Sequence, residues 1–433
     1  MFKSFVVSSL ARSAKRVLTR QAPMVIGVTG SVGKSSAKEA IAVALGGLSA
    51  GVRASQKNFN TEIGLPLAIL GLPNGGRSFF KWWGILRRAK RMARVSDPSF
   101  AKTLVLEMGV DHPGDMDELL AIVRPEIGVV TSVGEAHLEF FKDVEEIARE
   151  KGKLIAMLPA DGWAILNHDD PRVWEMRNRT KAQVVSFGFA KGADVEVLEH
   201  TVQLASDPDG DFGMHVRLMV RGTEVPIFLP GMLGMHSLYA VLAGFTVAAV
   251  RGMNMLTIAE NLKKYEAPVG RMRALKGVKR TLLIDDTYNA SPRSTLAALD
   301  VLKVLKVMTK GDDKKIAVLG DMLELGAKTR EYHEEIGRAA VAAGCDVMVF
   351  VGEKMGDAMQ AAVASGASRA QVAHFASADE AGRYVQQIMK QGDVVLVKGS
   401  QGMRMEKVVK ELMAEPLRAK ELLVRQEEEW VGK

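Results

Sequence analysis

The stretch "GVTGSVGKSS", Gly27 to Ser36, constrains the fold more than any other part of this chain. It follows the apolar run Met24, Val25 and Ile26 and leads into residues with helical spacing. A strand, a glycine loop and a helix in that order bury the strand in a sheet. The loop's N–H groups then sit at the positive end of a helix, where an anion is favoured. In such a loop Gly30, Ser31, Val32 and Gly33 would form the cradle, Lys34 would reach terminal phosphates, and Ser35 with Ser36 would open the helix, the Ser35 hydroxyl being able to ligand Mg²⁺. The spacing is G-x-x-G-x-x-G-K-S, with Val28 where the usual phosphate loop has its first glycine. A flexible turn that merely contains lysine does not need strand, loop and helix in sequence.

From Met24 onward, short β-rich runs alternate with helical stretches, which predicts an α/β protein built on mostly parallel strands. Strands are expected at 24–29, 103–107, 127–132 and 162–166. Turn signals in "DPDGD" and "RGTE" predict an antiparallel patch over 184–229, and helical spacing returns at 237–250. Pro268 and Gly270 in "YEAPVGRMR" mark a boundary. Beyond it, "TLLIDDTY", "KKIAVLGDM", "CDVMVFVG", "AQVAHFA" and "DVVLVKGS" alternate with helices, as in a doubly wound, Rossmann-like sheet. The expected organisation is a basic amphipathic helix at 1–23, a P-loop central domain at 24–267 and a C-terminal domain at 268–433.

A hydrophobic content of 47% gives these 433 residues ample core, and the single cysteine, Cys345, excludes a disulfide framework and a cysteine metal cage. A reducing cytoplasm is the expected setting. The net charge of +7 suits anionic partners without choosing among them. Two basic segments stand apart. Residues 1–23 contain no acid, and Phe2, Val6, Leu10, Ala14 and Val17 recur at helical spacing. In "RSFFKWWGILRRAKRMAR", four aromatic residues mix with seven Arg and Lys. Helices packed on the protein body with solvated basic faces are one reading of both. Peripheral contact with a membrane surface is another, an organelle address is a third for the first segment and nucleic acid a third for the second; of these partners, the expected set includes no nucleic acid.

Glu107 ends the strand in "LVLEMG" and His137 follows the strand in "VVTSVGEAHLE", where ligands of such sheets gather. A carboxylate beside the loop suits Mg²⁺, which prefers hard oxygen ligands; taken alone, Glu107 reads equally as an ordinary strand-end acid. A lone histidine is more often structural than catalytic.

Taken together, "GVTGSVGKSSAKEA", "NFNTEIGLPL", "LEMGVDHPGD", "RPEIGVVTSVGEAHLE", "GRMR", "IDDTYNASP", "AVLGDMLELG" and "VKGSQGMRME" resemble the Mur ligases, in order from about Met24 to Leu412. The resemblance implies an ATP-dependent amide ligase: a carboxylate is phosphorylated, an amine attacks the acyl phosphate, and phosphate leaves. It implies that Glu107 and His137 hold metal ions and that Lys151, 14 positions after His137, is carbamylated and ligates a second Mg²⁺. It further implies that Arg271 reaches the transferring phosphate and that Asp286, Tyr288, Asn289 and His236 contact the nucleotide. Asn58, Asn60, Thr61 and Glu62 would face the carboxylate substrate, a peptidoglycan precursor peptide. Asp321, Lys398, Gly399 and Ser400 would line the pocket for D-alanyl-D-alanine. Where the family shows His-Asn and a further Asn, this chain has His236, Ser237 and Ala240. Relatives of this type carry an N-terminal domain that grips UDP, and here the basic helix stands in that place. A cytoplasmic monomer acting on small molecules is expected. A folylpolyglutamate-synthase-like ligase and a non-catalytic ATP-binding scaffold are the competing readings.

Overall fold

The computed structural model describes residues 2–55, 59–76, 78–134, 140–203, 213–305, 313–426 and 430. Contacts divide the chain into two units. The first comprises Met1–His200, Val216–Phe228 and Leu238–Tyr265, and the second Thr201–His215, Leu229–Ser237 and Glu266–Lys433.

The larger sheet, most of whose residues belong to the first unit, comprises β1 (Met24–Thr29), β2 (Val52–Ala54), β3 (Thr103–Glu107), β4 (Ile127–Val130), β5 (Trp163–Asn167), β6 (Gln183–Gly188), β7 (Val195–Gln203), β8 (Gly213–Val220) and β9 (Thr223–Pro230). Their order is β2-β3-β1-β4-β5-β6-β7-β8-β9. The apolar run before the glycine loop is thus β1, held between β3 and β4 by parallel pairing on both edges. Strands buried on both faces need apolar side chains throughout, and β1 supplies Val25, Ile26 and Val28, each at most 3% exposed. β4 stops at Val130, two residues before the expected end, because Thr131 and Ser132 turn to hydrogen-bond the glycine loop. The expected antiparallel patch is narrower than 184–229. β6 runs parallel to β5, and its end pairs in parallel with the start of β7. Arg221 and Gly222 join β8 to β9 with φ of 49° and 82°, the two positive values that a two-residue type I′ hairpin requires.

The basic N-terminal helix is Phe2–Gln21. It buries Val6, Leu10, Ala14 and Val17 in the core shared with helices Gly64–Leu70 and Phe79–Met92. Among the described residues no helix is long and apolar enough to cross a membrane.

The second unit has a six-stranded sheet of β10 (Arg273–Lys276), β11 (Leu282–Asp286), β12 (Lys315–Gly320), β13 (Val347–Val351), β14 (Val372–Phe375) and β15 (Val394–Lys398). Their order is β10-β11-β15-β12-β13-β14, parallel except for β10. All five runs named from the sequence beyond Gly270 are strands, and helices connect them in the doubly wound manner expected.

Candidate active site

The glycine loop occupies residues 30–33 between β1 and helix Lys34–Ala44. Its shape is fixed by the end of β4: Ser31 N donates to Ser132 O at 2.7 Å, Thr131 Oγ1 to Val32 O at 2.6 Å, and Val32 N to Ser132 Oγ at 3.2 Å. Gly30 has φ of 150°, and a Cβ there would fall 2.0 Å from Thr131 Oγ1, so no larger residue fits. Gly33 is left-handed, with φ of 85°, and precedes the helix without a side-chain cap. That leaves the first-turn N–H groups available to an anion. Lys34 Nζ folds back to donate to Gly30 O at 2.7 Å and to Ser31 O at 3.4 Å.

Ser35 on the same helix donates to Glu107 Oε2 at 2.8 Å, and Asn60 Nδ2 donates to Glu107 Oε1 at 3.3 Å. Three of the residues named from the sequence therefore meet at one buried carboxylate, which lies at the end of β3 opposite Val28. Sequence reasoning missed Lys38. One turn beyond Lys34, it is 1% exposed, donates to Ser55 O at 2.5 Å and lies 4.0 Å from Glu107 Oε2. The i, i+4 spacing from Lys34 was the available signal.

Lys151, on helix Val144–Ala156, is also 1% exposed. Burial, aided by the charge of Lys34, lowers its pKa to about 7, against the opposing pull of Asp111, Glu150 and Asp115. Glu150 beside it accepts from Gly114 N and Met116 N, both at 3.0 Å. Glu62 turns elsewhere, pairing with Lys3 at 3.3 Å, and Thr61 Oγ1 accepts from Gly64 N at 3.4 Å. The C=O of Ser36 accepts from Tyr265 Oη at 3.3 Å, while Ala44 O accepts from Asn261 Nδ2 at 3.0 Å, so both ends of the loop helix are held. Asn58 and His137 lie outside the described residues. His236 is in helix Met235–Val250, and its side chain also lies outside what is described.

In the second unit, Asp286 ends β11 and Lys398 ends β15. The two form a buried ion pair at 2.7 Å. Asp286 also accepts from Met272 N at 3.1 Å, and Lys398 donates to Asn289 O at 3.0 Å, which supplies the further bonds that a buried pair requires. Arg271 stacks over the Tyr288 ring at 4.0 Å. Asp321 Oδ1 accepts from Met355 N at 2.8 Å at the start of helix Met355–Ala364. Gly399 has Met405 where a Cβ would fall, at 2.5 Å, and Ser400 Oγ accepts from Leu323 N at 2.9 Å.

Two further groups were not foreseen. Asp285 is fully buried and accepts from Thr287 N and Oγ1, while its Oδ2 has no hydrogen-bond partner among the described residues. Burial raises its pKa from 3.8 to about 6. Arg425 donates to the carbonyls of Thr287 and Tyr288 and to Glu406, bracing the segment that carries Tyr288. No local pattern marked Arg425.

Residues 28–248 match the Mur ligase middle domain and 270–401 the Mur ligase, glutamate ligase domain. The UDP-N-acetylmuramoyl-tripeptide–D-alanyl-D-alanine ligase of Bacillus subtilis is 30% identical over 415 residues, covering 95% of this chain and 80% of the relative. Its counterpart in Escherichia coli is 28% identical over 390 residues, covering 90% and 76%. Among solved structures, MurF ligase from Thermotoga maritima in complex with ADP aligns with a TM-score of 0.75 at 26% identity, over 96% of this chain and 84% of that one. MurF from Acinetobacter baumannii aligns with a TM-score of 0.73 at 26% identity, over 92% and 79%. A phosphate loop joined to a buried carboxylate, together with matches that run through both units, leads to one conclusion: the chain belongs to the Mur ligase family and is an ATP-dependent, ADP-forming ligase.

Proposed function

We propose that the protein joins D-alanyl-D-alanine to the peptide carboxylate of a UDP-N-acetylmuramoyl-tripeptide, the pair of substrates in its relatives' names. The observation that carries the reading is the Ser35–Glu107 hydrogen bond at 2.8 Å beside the lysine-bearing loop. It sets a hard oxygen pair next to the uncapped helix end, which suits a divalent cation bridging phosphates.

In the reaction, a carboxylate oxygen of the peptide attacks the γ-phosphorus of ATP and ADP leaves. The amine of D-alanyl-D-alanine then attacks the acyl phosphate carbon, phosphate departs, and the amine gives up a proton. The loop N–H groups and Lys34 orient the phosphates and offset their charge; for Lys34 this means exchanging its bonds to Gly30 O and Ser31 O for phosphate oxygens. Ser35 and Glu107 would hold Mg²⁺, which neutralises charge on the transferring phosphoryl group. Lys38, 4.0 Å from Glu107 Oε2, places a second basic side chain beside the loop. His137 and Lys151 would serve a second Mg²⁺. Burial of Lys151 favours the neutral amine, the form that adds CO₂, and the resulting carbamate is an anionic oxygen ligand. Asn60, with Asn58, Thr61 and Glu62, would face the peptide substrate. In the second unit we assign Arg271 to the transferring phosphate, Asp286, Tyr288, Asn289 and His236 to the nucleotide, and Asp321, Lys398, Gly399 and Ser400 to the dipeptide. We take the working form to be a cytoplasmic monomer.

The test is mass analysis of products from ATP, the UDP-linked tripeptide and D-alanyl-D-alanine. The pentapeptide product and ADP are expected in equal amounts. Lys34→Ala should lower kcat about 10² to 10³-fold with the fold retained. Glutamate addition to a folate without any pentapeptide product would replace this reading.

A further inference from the structure

Helices Phe2–Gln21 and Phe79–Met92 of the first unit carry a surface that the ligase chemistry does not use. They pack side by side, and their direction is fixed at both ends. The Phe2 and Phe79 rings lie 5.1 Å apart. At the other end, Gln21 donates to Val95 O and accepts from Asp97 N, each at 3.2 Å. The helices are therefore parallel, with their N-terminal ends together.

Their inner faces are spent on the core: Val6, Leu10 and Ala14 on one, Trp82, Ile85 and Leu86 on the other. What remains outside is sorted along the axis. At the shared N-terminal end Phe5, Phe79, Phe80 and Trp83 are 57%, 58%, 84% and 60% exposed. Farther along, Arg12, Lys15 and Arg16 on one helix and Arg87, Arg88 and Arg91 on the other are exposed. Neither helix contains Asp or Glu. Lys3 is already paired with Glu62, so apart from Lys81 the exposed charge of the two helices lies in the distal rows.

Exposed aromatic side chains clustered at one place mark an interaction surface rather than ordinary solvent-facing residues. Phe and Trp settle at the headgroup boundary of a bilayer, and Arg and Lys bind lipid phosphates while their stems stay apolar. Both demands are met here by one rigid helix pair. A second copy of this chain fits less well, since a two-fold contact of this surface with itself would oppose two acid-free basic rows.

We propose that this helix pair docks the protein on an anionic phospholipid membrane, with the aromatic end at headgroup level and the arginine rows on lipid phosphates. The surface works whatever substrates the ligase takes, so its test stands apart from that of the reaction. The purified full chain is sedimented with phosphatidylcholine vesicles, with and without phosphatidylglycerol. Binding is expected only with phosphatidylglycerol and should weaken with added salt. The double variant Phe80→Ser/Trp83→Ser and the triple variant Arg87→Gln/Arg88→Gln/Arg91→Gln should each bind about tenfold or more weakly. Because all five positions are exposed, circular dichroism and ligase turnover without vesicles should match the wild type. Absence of wild-type binding, or binding that both variants retain, overturns the proposal. So does a dimer, seen by light scattering, that the aromatic variant dissolves, which would assign the surface to a second copy. Tighter binding of a duplex oligonucleotide, lost in the arginine variant, would assign it to nucleic acid and likewise overturn the proposal.

Discussion

Lys151 is almost wholly enclosed, and enclosure rather than any single neighbour sets its chemistry. Lys151→Ala should stop turnover, and short carboxylic acids should restore part of it by supplying the lost carbamate oxygens; full activity without additive would remove the carbamate from the mechanism. Asp285 gives a pH-dependent outcome. Its pKa is raised from 3.8 to about 6, so between those values the folded state keeps a proton that the unfolded state releases. Stability from this group therefore falls as pH rises through that window, by up to about 3 kcal/mol. Asp285→Asn lacks this titration. Urea denaturation should show the variant gaining on the wild type from pH 4 to above pH 6, whereas parallel pH profiles would mean that Asp285 ionises normally. At this scale the phosphate loop, Ser35 and Glu107 were legible, because glycine, lysine and a strand-end acid announce themselves in local order. Lys38 and Asp285 were not. Their behaviour comes from burial by residues distant in sequence, and Asp285 alone reads as the turn after a strand.

Elements follow the same division. Helix Phe2–Gln21 could be read from its apolar spacing, and the structure buries Val6, Leu10, Ala14 and Val17 of that stripe while leaving Phe2 about half exposed. Which helices receive the stripe is a tertiary fact that spacing does not carry. Leu10 is fully buried, so Leu10→Ala should cost about 2 to 5 kcal/mol in urea denaturation. Exposed Arg12→Ala should stay within about 0.5 kcal/mol. A small loss at Leu10 would mean that the helix is not part of the core. Strand positions in both sheets were legible from β-rich runs, but pairing direction was less so. β6 lies in the stretch expected to be antiparallel and nevertheless runs parallel to β5, since direction is decided by the connecting helix rather than by the strand itself.

Across the whole molecule, the two sheets were anticipated from alternating runs, while the threading of the chain between the units was not. Thr201–His215 and Leu229–Ser237 belong with the second unit although they interrupt the first in sequence. Turn signals mark where a hairpin bends, and they say nothing about which core receives its ends; Leu233 packs with Leu299 and Leu302. The first unit ends at Tyr265, whose hydroxyl bonds to the carbonyl of Ser36 in the first turn of the loop helix. That bond has a mechanical meaning. Tension on the backbone beyond residue 265 reaches the phosphate-binding turn through this phenol and the far end of the same helix through Asn261, so pulling there loads the helix that carries the nucleotide cradle at both ends. Tyr265→Phe keeps the ring and cuts the first of these links.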